Sequence, residues 1–276
     1  MPNVYIHPHT KQRLDILVHD LPQSVVFTGP EGIGLSRAVS YVAELIQSKP
    51  IYVLPEKDDK IDIEKGVITI DLIRKLYVIT KTIETGARLI VIDYAERMGI
   101  QAQNAFLKLL EEPGANTHFI LLTHIASKLL PTVRSRVQII EINPITAVQS
   151  EMLLDELKVN DTTRRAQLLF IAAGLPAQLT VLATDDMAFE ARALIIRNAR
   201  TYLQGTMYDR LKLALVYKDD RQGSLTMLLD AMNLLQDALK NKNNPEQVMK
   251  ISVLLKIRER IEANGNVRLQ LASVMI

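Results

Sequence analysis

No cysteine occurs among the 276 residues, which excludes disulfides and thiolate-ligated metals and fits a reducing compartment. No apolar run approaches the roughly 20 residues that span a bilayer, and the polar start, Met1 to Lys11, lacks the apolar core of a signal peptide. Charge of one sign is missing too: 33 basic residues against 31 acidic leave a formal net charge of +2. With no strong basic field, any contact with nucleic acid has to be local or shared with partner chains. The absences lead to an expectation of a globular cytoplasmic protein with no membrane partner. At 48% hydrophobic and 23% charged, the composition is that of an ordinary folded chain, long enough for two or three domains.

Histidine is sparse, and no spacing among the five predicts a metal site. His7 and His9 flank Pro8 in what reads as a surface turn. His118 and His124 bracket the run HFILLTH and read as strand-end residues half in solvent.

In chain order, Leu14, Leu17 and Val18 give residues 10–20 the spacing of a short amphipathic helix, closed by Pro22. A short apolar strand (Val25 to Thr28) then leads into a loop with Gly29, Gly32 and Gly34, followed by a helix to about Gln47. Strand, glycine loop and helix is the setting in which backbone amides cradle phosphate. The phosphate-binding pattern requires lysine after its last glycine. Here GPEGIGLS puts Leu35 in that place and keeps a hydroxyl at Ser36, while Glu31 adds a negative charge inside the loop. The loop therefore reads as a degenerate remnant, kept for its shape, against the alternative of an atypical working site.

A second strand follows (Ile51 to Leu54), then the charged loop PEKDDKIDIEKG and a brief extended stretch over Val67 to Ile70. The next helix, Asp71 to about Thr85, has Ile73, Leu76, Tyr77 and Thr80 on one face and Gly86 at its end. RLIVID (Arg88 to Asp93) is a continuous apolar run, the pattern of a parallel strand buried on both faces. Its terminal Asp93 stands where Mg²⁺ would be held opposite a glycine loop. Ala102, Ala105, Phe106, Leu109 and Leu110 predict a helix that packs one face on a sheet and stops at Glu111-Glu112-Pro113. HFILLT is another doubly buried strand ending in Thr123. SKLLPTVRSR forms a short turn or helix carrying Arg134 and Arg136, and VQIIEI is a fifth strand.

This alternation predicts a doubly wound parallel sheet whose functional edge, at the strand carboxyl ends, gathers Gly29, Asp93 and Thr123. Beyond Pro144 the pattern is helical. Thr146 and Gln149 form a capping box, and further helices are expected over Thr163 to Ala173 and after Pro176. Four or five longer helices follow from Met187, one with Leu228, Leu229, Met232 and Leu235 on a common face, another opened by Asn244-Pro245.

NAFLKLLEEP, FILLT and LLPTVRSR, with IDLIRKL, VIDYAERM and the terminal NVRLQL, resemble in their order the clamp-loader subunits of bacterial replicative DNA polymerase, in the AAA+ superfamily. The pattern of losses resembles the non-hydrolysing delta-prime type. Leu35 replaces the phosphate-binding lysine, Tyr94 replaces the glutamate that polarises water, and Ala177 falls near the nucleotide-sensing arginine of active relatives. Ser135-Arg136 keeps the pair that resembles the family's arginine finger, which acts on a neighbour's ATP, although Val137 replaces the usual cysteine. Taken alone, Arg136 also fits a solvated surface arginine. The four-cysteine zinc module of many relatives is absent, since Gln47 runs almost directly into Ile51.

The resemblance implies an AAA+ α/β core with a degenerate P-loop over 1–143, a helical lid over 144–185 and an all-α collar over 186–276. It implies no cofactor and no zinc on this chain, with ATP and Mg²⁺ in neighbouring subunits. Its implied partners are gamma/tau and delta types of clamp-loader subunit, a sliding clamp, and primer–template DNA reached through the assembled complex. The residues at stake are Ser135 and Arg136 in trans, and the remnant Gly29, Gly32, Gly34, Ser36, Asp93 and Thr123. Two other readings remain: a gamma/tau-like ATPase with an atypical P-loop, and a free-standing helical adaptor.

Overall fold

The computed structural model describes residues 5–82, 86–241 and 244–273. The chain divides into two compact units, Met1–Ala183 and Thr184–Ile276.

The first unit is built on a five-stranded parallel sheet. Its strands are β1 (Ser24–Thr28), β2 (Ile51–Val53), β5 (Arg88–Ile92), β6 (Thr117–Thr123) and β7 (Gln138–Glu141), in the order β2-β5-β6-β1-β7. The three central strands carry apolar residues on both faces because alternate residues enter two separate cores. Val25, Phe27, Val91, Ile120 and Leu122 face α1 (Pro8–His19) and α2 (Leu35–Leu45). Val26, Ile90, Ile92, Phe119 and Leu121 face α3 (Ile70–Lys81) and α4 (Ile100–Glu111). Phe106 of α4 meets Phe119 edge-on at 5.2 Å.

Several expectations need correction. His7-Pro8-His9 opens a helix instead of forming a turn: Pro8 fills the first helical position and the His7 Nδ1 accepts from the His9 amide at 3.2 Å. The loop after β2 contains a hairpin, β3 (Glu56–Lys57) and β4 (Lys60–Ile61), whose turn residues Asp58 and Asp59 are both left-handed, as a type I′ turn requires.

Helix α3 ends at Lys81, so Gly86 does not close it; Ile83 to Thr85 lie outside the described residues. The cause is tertiary. Thr82 is extended, and its carbonyl and hydroxyl accept from the buried Arg88 guanidinium at 2.8 and 2.9 Å. α2 likewise stops at Leu45, two residues short of Gln47.

After β7, α6 (Ala147–Glu156) starts with both hydrogen bonds of the Thr146–Gln149 capping box. Next come α7 (Thr162–Ala172) and α8 (Pro176–Thr184). Arg165 ties α7 to α6 through Glu151 and, at 2.7 Å, Asp155.

The second unit has five helices among its described residues: α9 (Asp186–Gln204), α10 (Met207–Val216), α11 (Arg221–Asn241), α12 (Pro245–Glu262) and α13 (Val267–Ala272). Tyr202, Leu228, Met232, Leu254, Ile257 and Leu271 form its core, and the Tyr202 hydroxyl donates to the Leu271 carbonyl at 2.8 Å. Asn244 caps α12 through a bond to the Glu246 amide, with Pro245 in the first position. Leu229 does not share the buried face of α11. It is 44% exposed, and Met227, Leu228, Ala231 and Met232 turn inward instead.

Candidate functional site at the strand carboxyl ends

The glycine loop lies between the end of β1 and the start of α2. Gly32 and Gly34 have φ of 84° and 82°, conformations open to glycine and strained for other residues. Gly34 is the N-cap of α2, whose first amides lack intrahelical acceptors, the feature that makes a helix start receptive to an anion. Leu35 is 5% exposed and belongs to the apolar core with Val39 and Val42. A side chain so placed packs into that core. Ser36 is exposed.

The loop's carbonyls are engaged on both sides. The Gly29 carbonyl lies 2.8 Å from the His124 Nδ1. Because a carbonyl only accepts, the proton of that bond sits on Nδ1. The Gly32 carbonyl accepts from the Ala177 and Gln178 amides at 3.0 and 3.3 Å. Ala177 thus meets the loop through its backbone.

Asp93 follows β5 and is partly buried, with its Oδ1 accepting from the Tyr94 amide at 2.9 Å. Burial pushes its pKa up and nearby Glu96 adds to the rise; the Tyr94 amide and His124 oppose it. Tyr94 is left-handed, with φ of 54°. Its ring meets His124 edge-on at 6.4 Å, and the Arg97 guanidinium lies 5.9 Å from its centroid. Burial raises the Tyr94 phenol, reinforced by Asp93 and Glu31.

Thr123 ends β6, buried and in register with Thr28, and its hydroxyl accepts from the Ile125 amide at 3.1 Å. Strands β1, β5 and β6 therefore bring Gly29, Thr123 and Asp93 to one edge. No group of three or more His, Asp or Glu side chains is arranged to hold a metal among the described residues.

Ser135 and Arg136 lie just beyond the single-turn helix α5 (Pro131–Arg134). The Ser135 hydroxyl donates to the Thr132 carbonyl at 3.1 Å. Arg136 Nε donates to Glu111 Oε1 at 3.1 Å and Nη1 to the Thr132 carbonyl at 3.1 Å, leaving the side chain 41% exposed.

Sequence reasoning missed the residue that positions this turn. Gln103 is buried in α4; its Nε2 donates to the Met98 and Lys128 carbonyls at 3.1 and 3.2 Å, and its Oε1 accepts from the Leu130 amide at 2.7 Å. The signal was an amide on an apolar face, since Gln103, Phe106 and Leu110 share the i, i+3, i+7 spacing.

The family described as "DNA polymerase III, delta subunit" matches residues 9–146, half of the chain. DNA polymerase III subunit delta' of Pseudomonas aeruginosa is 33% identical over 140 residues, covering 50% of this chain and 42% of that protein. The Bacillus subtilis protein of the same name is 32% identical over 116 residues, covering 42% and 34%. The aligned part of the chain thus spans less than half the length of either. Human replication factor C subunit 5 is 28% identical over 182 residues, covering 61% and 52%.

Among solved structures, the RuvB Holliday junction branch migration motor of Thermotoga maritima superposes with a TM-score of 0.52 at 14% identity, covering 97% of this chain and 88% of that one. At that identity the likeness shows a shared fold. No helix among the described residues is long and apolar enough to cross a membrane. The chain belongs to the DNA polymerase III delta-subunit family, as a clamp-loader protein of the delta-prime type in the AAA+ superfamily.

Proposed function

We propose that this chain is a non-hydrolysing subunit of the replicative polymerase clamp loader, assisting ATP-dependent loading of a sliding clamp onto primed DNA. The observation that carries the reading is the buried Leu35. An aliphatic side chain packed in the core supplies no cation to the β- and γ-phosphates, a role that in P-loop proteins falls to lysine. Tyr94 supports it, because a phenol stabilised in its protonated form is a poor substitute for a carboxylate acting on water.

In this reading ATP and Mg²⁺ sit in neighbouring gamma/tau-type subunits, delta-type subunits complete the ring, and primer–template DNA is met by the cytoplasmic assembly. Arg136 is offered to a neighbour's ATP, where such a finger contributes roughly 10³–10⁵ in rate. Ser135 closes the turn that presents it. Gly29, Gly32, Gly34, Ser36, Asp93 and Thr123 then serve the shape of the sheet edge and hold no cofactor or zinc.

Titration of the isolated chain with Mg-ATP tests the proposal. The expected outcome is no turnover; micromolar binding accompanied by hydrolysis would overturn it. The second reading, a nucleotide-binding ATPase with an atypical P-loop, is favoured by the two left-handed glycines and the open first turn of α2. The same titration decides between them.

A further inference from the structure

Arg136 is held by more than its own turn. A guanidinium carries its N–H donors in a flat fork at the end of a long flexible stem. Alone in solvent, such a side chain samples many rotamers and meets a ligand in few of them. Here both flanks of the fork are occupied. On one side Nε donates to Glu111 Oε1 at 3.1 Å, and Nη2 lies 3.0 Å from the same oxygen. On the other, Nη1 donates to the Thr132 carbonyl at 3.1 Å. By trigonal geometry Nη2 has a further N–H directed away from Nε, toward the open end of the fork, and the side chain there reaches solvent.

Both grips rest on anchored backbone. Glu111 is the last residue of α4, whose Ala102, Phe106, Leu109 and Leu110 are buried in the core beneath the sheet. Thr132 lies in α5 beside the fully buried Val133, and its carbonyl also accepts from the Ser135 hydroxyl at 3.1 Å. Glu112, the next acid, is exposed too, and Arg136 makes no bond to it. The exposure of the Arg136–Glu111 pair decides what it is good for. Two solvated partners add little to folding, whereas an acceptor fixed on a packed helix restricts the orientations open to the fork.

We propose that Glu111 is a positioning residue: its carboxylate holds the Nε side of Arg136 so that the Nη end of the guanidinium is presented outward to a phosphate anion. The inference rests on the proposed function, in which that anion belongs to a neighbouring subunit's ATP. It adds a residue that touches no nucleotide itself.

Single-turnover ATP hydrolysis by the assembled clamp loader, with clamp and primed DNA present, tests it. The readout is the phase of hydrolysis that Arg136→Ala removes. Glu111→Gln is expected to slow that phase roughly tenfold, with the ATP concentration for half-maximal rate unchanged. Glu111→Asp, which keeps a carboxylate, is expected to recover part of the loss. Glu112→Gln removes the same charge one residue away and is expected to match wild type. In an Arg136→Ala background, Glu111→Gln is expected to add nothing, which separates positioning from a general loss of structure. A phase unchanged or quickened by Glu111→Gln would overturn the positioning role and leave the finger in place. Equal slowing by Glu112→Gln, or further loss in the Arg136→Ala background, would overturn it as well. If Arg136→Ala removes no phase, the finger reading fails and the positioning role falls with it.

Discussion

Arg136 and Glu111, 25 residues apart in sequence, meet in space: the Nε and Nη2 of Arg136 lie 3.1 and 3.0 Å from Glu111 Oε1. Glu111 ends the helix that packs beneath the sheet, and Arg136 follows the turn that faces solvent. Both side chains are substantially exposed, so their attraction is screened and the pair is worth less than about 1 kcal/mol. Glu111→Gln is predicted to leave stability within that margin by urea denaturation while releasing the Nε edge of the guanidinium. A loss of several kcal/mol would show instead that the pair is a structural tie.

Gln103 is the opposite case. Truncation to alanine strands the Met98 and Lys128 carbonyls and the Leu130 amide and leaves a cavity, so Gln103→Ala is predicted to cost about 3 kcal/mol. The turn bearing Ser135 and Arg136 is expected to become more susceptible to proteolysis. A wild-type melting temperature would contradict the assignment.

The sheet was legible because strands buried on both faces read as unbroken apolar runs, as RLIVI and HFILLT do. The glycine loop was legible from spacing, and so was an aliphatic residue, Leu35, directly after its last glycine. What stayed hidden depends on partners remote in sequence. Nothing near Lys81 announces the end of α3, because the decisive bond comes from the buried Arg88. The 56–61 hairpin has no apolar alternation, and its turn rests on two aspartates in left-handed conformations. The Gly32 carbonyl meets the amides of Ala177 and Gln178, groups that every residue carries, so no side-chain pattern could reveal that contact.

Leu35→Lys would restore the missing cation type on paper. The native side chain is buried among Val39, Val42 and Leu122, so a lysine must either leave a gap or be buried. The prediction is a destabilisation of about 2–4 kcal/mol with no ATP turnover, since Tyr94 still stands in place of a carboxylate. Thermal melts and a phosphate-release assay read the two parts separately.

Asp93 gives a pH signature with a definite sign. Burial raises its folded pKa above the ordinary 3.8, so its contribution to stability is fully present below that value. It is lost as pH rises through the folded pKa. Asp93→Asn keeps an acceptor for the Tyr94 amide and removes the charge. The variant is predicted to be more stable than wild type near about pH 7, with the gap closing toward about pH 3. Urea titrations at both ends check this; a variant less stable at neutral pH would refute the desolvation account.

The most direct measurement is the ATPase of the assembled clamp loader, stimulated by clamp and primed DNA, with wild-type chain, Arg136→Ala or Arg134→Ala. The account predicts that Arg136→Ala abolishes most hydrolysis at one neighbouring site, a loss on the order of 10³-fold there. Arg134→Ala is predicted to stay near wild type, and the isolated chain to show no turnover. Unchanged ATPase with Arg136→Ala in an intact complex would contradict the central claim that this chain acts through the subunit beside it.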